Sequence, residues 1–177
     1  MSSFTPTEIR AVSMLATLYV VRMLGLFMVL PLIAVYSADM TGATPFLLGL
    51  AVGAYGLTQS TLQIPMGWLS DRIDRRWVIV FGLSLLMLGS VVAALSSSIW
   101  GVIAGRFLQG AGAIASATMA LVADYTRVEQ RAKASAIIGG SIAIAFGLAL
   151  VLGPTFANFG GLQGVFSVTA LLATAGI

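Results

Sequence analysis

Asp71, Arg72, Asp74, Arg75 and Arg76 bring five of the chain's fifteen charged residues into the short stretch 67–78. The chemistry open to such a knot is charge pairing, since hydrogen bonds between ionised groups are roughly twice as strong as neutral ones. Asp71 and a second acid, Asp124, each fall at the C-terminal end of a long apolar run. A helix presents its negative dipole there, so each carboxylate calls for a cation or a facing helix N-terminus. Arg75 stands four residues after Asp71, one helical turn away, and Arg75 or Arg131 is within reach of Asp124. Such a cluster clamps helix ends together and, if it opens, works as a gate. The alternative is a set of solvated charges worth less than about 1 kcal/mol each.

Two further arginines, Arg22 and Arg106, lie inside apolar runs. A guanidinium at membrane depth costs about 2.5–3.5 kcal/mol, and each Leu, Ile, Phe or Val returns about 0.3–0.6, so runs rich in such residues still insert. Two readings are open for each: the side chain snorkels to the interface, or it faces protein or a wet cavity. For Arg106 the neighbours favour the second, because Gln109 and Ser116 fall on the same helical face. Tyr55, Gln59 and Gln63 recur every fourth residue and form another polar stripe. It lines a cavity, makes interhelical hydrogen bonds of about 0.6–2 kcal/mol, or does both. Small residues at the same spacing, Gly49/Gly53, Gly101/Gly105, Gly112/Ser116/Ala120 and Gly139/Ala143/Gly147, predict close helix packing.

The elements that hold these residues are membrane helices. Apolar runs cover about residues 11–36, 45–69, 77–97, 99–123 and 133–157, and a further run begins at Leu162 and is still apolar at Ile177. Crossing roughly 30 Å of hydrocarbon takes about 20 residues, so the chain reads as an all-α, polytopic membrane protein with six spans, the sixth incomplete. Residues 1–177 form one transmembrane unit. Thr5-Pro6-Thr7-Glu8 has capping-box spacing with proline at the first helical position, and Thr44-Pro45 marks a second helix start. The first span is retained rather than cleaved as a signal peptide, because no basic residue precedes Arg10 and Arg22 interrupts the run.

A mean hydropathy of +1.03 with 8% charged residues leaves too little polar surface for a water-soluble domain. The pI of about 9.8 does not indicate nucleic acid, since the basic residues sit in short loops rather than along one face. There is no cysteine and no histidine, which removes thiol nucleophiles, disulfides, imidazole relays and the usual metal ligands. Neither an enzyme nor a resident metal or cofactor is expected. Gly110 to Ala115 fits a dinucleotide-binding glycine pattern, but it lies within a predicted membrane helix with no strand before it. Seven Lys and Arg residues, Arg10, Arg72, Arg75, Arg76, Arg127, Arg131 and Lys133, fall on alternate connections and none on the others. The N-terminus and those connections are therefore expected in the cytoplasm.

Gly67, Leu69, Asp71, Arg72, Arg75 and Arg76 reproduce the loop signature GxLxDRxGRR of the major facilitator superfamily, with Asp74 at its usual glycine. Asp tolerates left-handed backbone better than most residues, so the turn is expected to survive. Arg106, Gln109 and Gly110 match the family's RxxQG, and Asp124 with Arg131 its acid-then-basic loop. The stretch Arg22 to Pro31 and its spacing resemble the twelve-span drug/proton antiporters of the YajR type. The exporter signature of span five survives as Gly140, Ala149, Gly153 and Pro154, while Ala157 and Asn158 replace its last glycines. Small residues thus remain where helices are expected to pack, at Gly140, Gly153 and Pro154.

The resemblance implies the N-terminal six-span half of a transporter, built from two inverted three-helix repeats, with Arg22-Met23-Leu24 and Arg106-Phe107-Leu108 beginning similar stretches. It implies a proton-coupled exporter of small molecules or drugs, working by alternating access in a bacterial inner membrane and completed by a C-terminal six-span half. Arg22, Tyr55, Gln59, Gln63, Arg106 and Gln109 are then expected to border the cavity, and Gly67, Asp71, Arg72, Arg75, Arg76, Asp124 and Arg131 to gate it. The spans hold no unambiguously central carboxylate, so a proton-binding acid or a counter-ion for cationic drugs comes from the other half, or the substrate is neutral or anionic. A proton-coupled importer, and a non-transporting scaffold or truncated product, are the alternatives.

Overall fold

The computed structural model describes residues 3–36 and 40–177. Among them six helices follow one another: α1 (Pro6–Tyr36), α2 (Pro45–Ser70), α3 (Arg75–Ala94), α4 (Ile99–Ala111), α5 (Ala115–Tyr125) and α6 (Val128–Ala175). Among the described residues there is no strand, and one isolated bridge joins Thr41 to Ser98. Four stretches of the described residues are long and apolar enough to cross a membrane: Pro6–Tyr36, Arg75–Ala94, Ile99–Tyr125 and Val128–Ala175. The 26-residue α2 is long enough but less apolar, because it carries Thr58, Gln59, Ser60, Thr61 and Gln63.

Helix starts follow local chemistry. Thr5 N–H donates to Glu8 Oε2 at 2.7 Å and Glu8 N–H donates back to Thr5 Oγ1 at 3.3 Å, closing a capping box. Thr44 caps α2 by accepting from Leu47 N–H at 3.3 Å. Asp74 does not adopt the left-handed backbone allowed for it at the signature glycine. With φ −58° and ψ 124° it caps α3, accepting Arg76 N–H at 2.9 Å. A carboxylate at the positive end of a helix dipole explains why an acid fits this turn.

One predicted span is interrupted. Residues 99–123 were expected as a single helix, but the backbone leaves helical geometry at residues 112–114, between α4 and α5. The cause is tertiary. A Cβ at Gly112 would stand 2.2 Å from the Gly82 carbonyl, and one at Gly82 would stand 2.1 Å from Ile114 Cγ2, so α3 runs hard against the break. The glycine pattern at 110–115 therefore lies across a helix break rather than within a helix. In α6 the break is at Gly160 and at Gly161, whose φ of 58° suits glycine, and it separates arms 128–159 and 162–175.

Both arms of α6 pack along α1: Gly153 lies against Met28, and Thr169 Oγ1 against the Gly25 carbonyl. The remaining major contacts are α3 on α4, α2 on α4 and α3 on α6. Outward-facing side chains include Ile64, Leu95 and Phe159, each at least 80% exposed, which suits hydrocarbon rather than water.

Candidate functional site

Arg22 and Arg106 are each 1% exposed, so neither snorkels. Arg22 Nη2 donates to the Gly112 carbonyl at 2.8 Å and to Tyr55 Oη at 3.2 Å. The helix break thus frees a carbonyl that the buried guanidinium takes up, and irregular backbone at membrane depth is tolerated where it is enclosed by protein in this way. Arg106 lies against the Tyr55 ring rather than its hydroxyl, with its guanidinium carbon 4.8 Å from the ring centroid. Its Nε donates to the Ala51 carbonyl at 3.3 Å and its Nη1 to Gln109 Oε1 at 3.0 Å. Gln109 Nε2 donates on to Ser90 Oγ at 2.8 Å, and Ser90 Oγ to the Leu86 carbonyl at 2.7 Å.

One connected network therefore joins α1, α2, α3 and α4 through Arg22, Tyr55, Arg106, Gln109 and Ser90. Ser90 carried no signal in the sequence beyond being a serine in an apolar run. Ser116, expected on the face of Arg106 and Gln109, is turned away by the break and donates to the Gln63 carbonyl at 3.3 Å. Gln59 and Gln63 are half-buried one and two turns beyond Tyr55, and Gln59 Oε1 is buried without a partner.

A second cluster lies where the starts of α1, α3 and α6 meet the ends of α2 and α5. Arg75 is hydrogen-bonded to Asp124, and its Nη2 is 3.5 Å from Asp71 Oδ1. The end of α2, the start of α3 and the end of α5 are thus joined through one guanidinium, beneath an open cleft of about 550 Å³. Arg72 stacks 3.9 Å over the Trp68 ring, and Arg76 bonds the Tyr125 hydroxyl, which raises the guanidinium pKa above its ordinary value. Gly67 faces α5, where an added Cβ would come 3.1 Å from Ser116 Oγ.

Of the two partners open to Asp124, Arg75 takes it, while Arg131 is exposed and makes no ion pair among the described residues. The basic residue after α5 that does pair is Arg127, by sequence one loop cation among several. Its Nε donates to Glu8 Oε1 at 3.0 Å, its Nη2 to Glu8 Oε2 at 3.0 Å, and its backbone N–H to Glu8 Oε1 at 2.9 Å. The Arg127 guanidinium first, then the N–H groups of Arg127 and Thr5, hold the Glu8 carboxyl well below the usual carboxylate range. Glu8 therefore caps its own helix and ties it to the start of α6.

Residues 15–177 match the Major Facilitator Superfamily. The chain belongs to the major facilitator superfamily. It is 54% identical over 173 residues to the inner membrane transport protein YajR of Escherichia coli (strain K12), an alignment covering 98% of this chain and 38% of that protein. It is 40% identical over 166 residues to an uncharacterized transporter of Buchnera aphidicola subsp. Acyrthosiphon pisum, covering 94% and 43%. The tetracycline resistance protein, class B, of Escherichia coli is 34% identical over 114 residues, covering 64% and 27%. The chain spans less than half the length of each of these relatives. The superfamily is one of membrane transport proteins rather than enzymes.

Among the small residues expected to pack in this superfamily member, the outcome divides. Gly105 and Gly89 meet backbone to backbone, and a Cβ at Gly153 would lie 3.2 Å from the Met28 carbonyl. Gly140 does not pack within the chain: a Cβ there would meet nothing within 4 Å, and the same holds for Gly49, Gly53, Gly139 and Gly147. These glycines lie on exposed helix faces that no other described residue covers. Pro154 is exposed within α6.

Proposed function

We propose that this chain is the N-terminal six-span half of a proton-coupled exporter of small molecules, working by alternating access in a bacterial inner membrane. Counting α4 with α5 as one crossing and the two arms of α6 as two gives six, in two inverted three-helix repeats. The basic end, with Arg10, Arg72, Arg75, Arg76, Arg127, Arg131 and Lys133, faces the cytoplasm, a reading supported by the excess of Lys and Arg on cytoplasmic connections. A second six-span body completes the cavity, a reading supported by the greater length of the relatives. Export is supported by the tetracycline resistance protein among them.

The observation that carries the mechanism is the position of Arg75 between Asp71 and Asp124. The cluster closes the cytoplasmic side while Arg22, Tyr55, Gln59, Gln63, Arg106 and Gln109 border the substrate path above it. Release of the cluster lets the inner helix ends part. Proton entry supplies about 2.3 kcal/mol per charge per 100 mV in addition to the pH difference.

The test is flux in proteoliposomes holding the full-length transporter, with an imposed proton gradient and tetracycline as the first substrate of a panel. Saturable substrate movement opposite to proton movement is expected. Movement in the same direction as protons would replace export with import, and no gradient-dependent movement of any substrate would overturn the transport reading.

A further inference from the structure

We infer that the polar core around Tyr55 is a binding site for an anionic group, a carboxylate or a related oxyanion, on the transported molecule. As a statement of substrate class it rests on the transport reading; as a statement about binding it does not.

The core is rich in donors and poor in acceptors. Arg22 Nε, Arg22 Nη1 and Arg106 Nη2 are buried with no hydrogen-bond partner. The Tyr55 hydroxyl oxygen accepts from Arg22, and its own proton is donated to no acceptor among the described residues. The partners that the two guanidiniums do have, two backbone carbonyls, a phenol and an amide, are all neutral groups. Among the described residues no carboxylate approaches either guanidinium, and the ion pairs all lie at the helix ends.

Two buried positive charges, one at the Tyr55 hydroxyl and one against its ring, repel a cation. An uncharged apolar ligand leaves the idle N–H groups unpaired, which is costly in an enclosed site. A carboxylate presents two oxygens with the planar geometry that guanidinium forks bind, and converts the idle donors into charge-assisted bonds. Gln59 Oε1, one turn along α2 from Tyr55, is also buried without a partner, and it belongs to an amide whose nitrogen serves the same anion when the group is turned. The donors are enclosed in this conformation, so the ligand enters when the helices part.

The test uses the full-length transporter in lipid nanodiscs, with thermal unfolding followed by tryptophan fluorescence. The probes are sodium benzoate, its neutral counterpart benzyl alcohol, its cationic counterpart benzylammonium, and sodium chloride, all at matched ionic strength. Benzoate is expected to raise the melting temperature saturably, by a few degrees, with no comparable effect of the other three. Arg22→Gln and Arg106→Gln should each weaken the apparent benzoate affinity at least tenfold, and Arg22→Lys less than Arg22→Gln. Should the Gln variants fail to fold, Tyr55→Phe keeps the ring and removes the hydroxyl, and a severalfold loss of benzoate affinity is expected. Equal stabilisation by benzyl alcohol, equal benzoate affinity in the variants, or the absence of any saturable benzoate effect would each overturn the site. A chloride effect equal to that of benzoate would reduce it to a small inorganic ion site and overturn the substrate class. Failure here leaves the flux experiment untouched, and failure of flux leaves the binding result standing.

Discussion

The guanidinium of Arg22 and the carbonyl of Gly112, 90 residues apart in sequence, meet at 2.8 Å. That bond joins two features that are unfavourable separately: a buried charge in α1 and a helix break between α4 and α5. The break persists because Gly82 and Gly112 allow the backbones of α3 and α4 to touch, and it leaves a carbonyl free where a donor is waiting.

Close backbone approach at these glycines should be visible in stability. A Cβ at Gly112 would sit 2.2 Å from the Gly82 carbonyl, and one at Gly89 would sit 2.5 Å from the Gly105 carbonyl. Gly112→Ala and Gly89→Ala are each expected to destabilise the protein by about 1–3 kcal/mol or more in unfolding from bicelles. Gly53→Ala, whose Cβ meets nothing, should be neutral or stabilise by up to about 1 kcal/mol.

Arg106→Lys retains the charge but loses the fork that serves the Ala51 carbonyl and Gln109 together. Hydrogen bonds to charged groups contribute about 1.5–3 kcal/mol, so coupled flux should fall roughly tenfold or more while membrane insertion persists. Unchanged flux at a fixed proton gradient would make the network structural only.

The Glu8–Arg127 tie has a defined pH window. The folded carboxyl is held below its unfolded value of about 4.3, so its contribution is fully present above that value and is lost as pH falls through the lower folded value. Glu8→Gln should therefore lower the melting temperature by a constant amount from pH 5 to 8, and the gap should narrow below about pH 4. Melting curves of both proteins across that range check the sign.

At the charged end, the pairing partners are unequal. Asp124 is hydrogen-bonded to Arg75 but half-exposed, so Asp124→Asn should cost at most about 1 kcal/mol in stability. Arg131→Gln removes an unpaired surface charge and should change stability by less than about 0.5 kcal/mol. Chemical unfolding of the two variants side by side distinguishes them.

What the sequence makes legible is local. Capping at Thr5, Glu8 and Thr44 depends on residues three apart, and the membrane runs depend on composition over about 20 residues, so both are readable before any contact is known. Arg22, Tyr55, Arg106 and Gln109 are visible because polar groups in apolar runs are rare. The break at residues 112–114 is not, since its cause lies in Gly82 of α3 and Arg22 of α1. Arg127 and Arg131 look alike as loop cations. Only packing of α1 against α6 shows that Arg127 has a carboxylate 119 residues away, while Arg131 faces outward. Gly140 has the right spacing for a packing position, yet spacing does not say which face of a helix is covered.

In the proposed mechanism the Asp71–Arg75–Asp124 cluster keeps the cytoplasmic side closed. Residues 1–177 contain no cysteine, so with any cysteine in the rest of the transporter replaced by serine, a single Gln63→Cys on α2 gives an unambiguous label site. In the full-length transporter, labelling of that cysteine from the cytoplasmic side should rise about two- to fivefold in the Asp124→Asn background, as loss of up to about 1 kcal/mol of closure implies, with transport reduced. Equal labelling and equal transport in the two backgrounds would contradict the account.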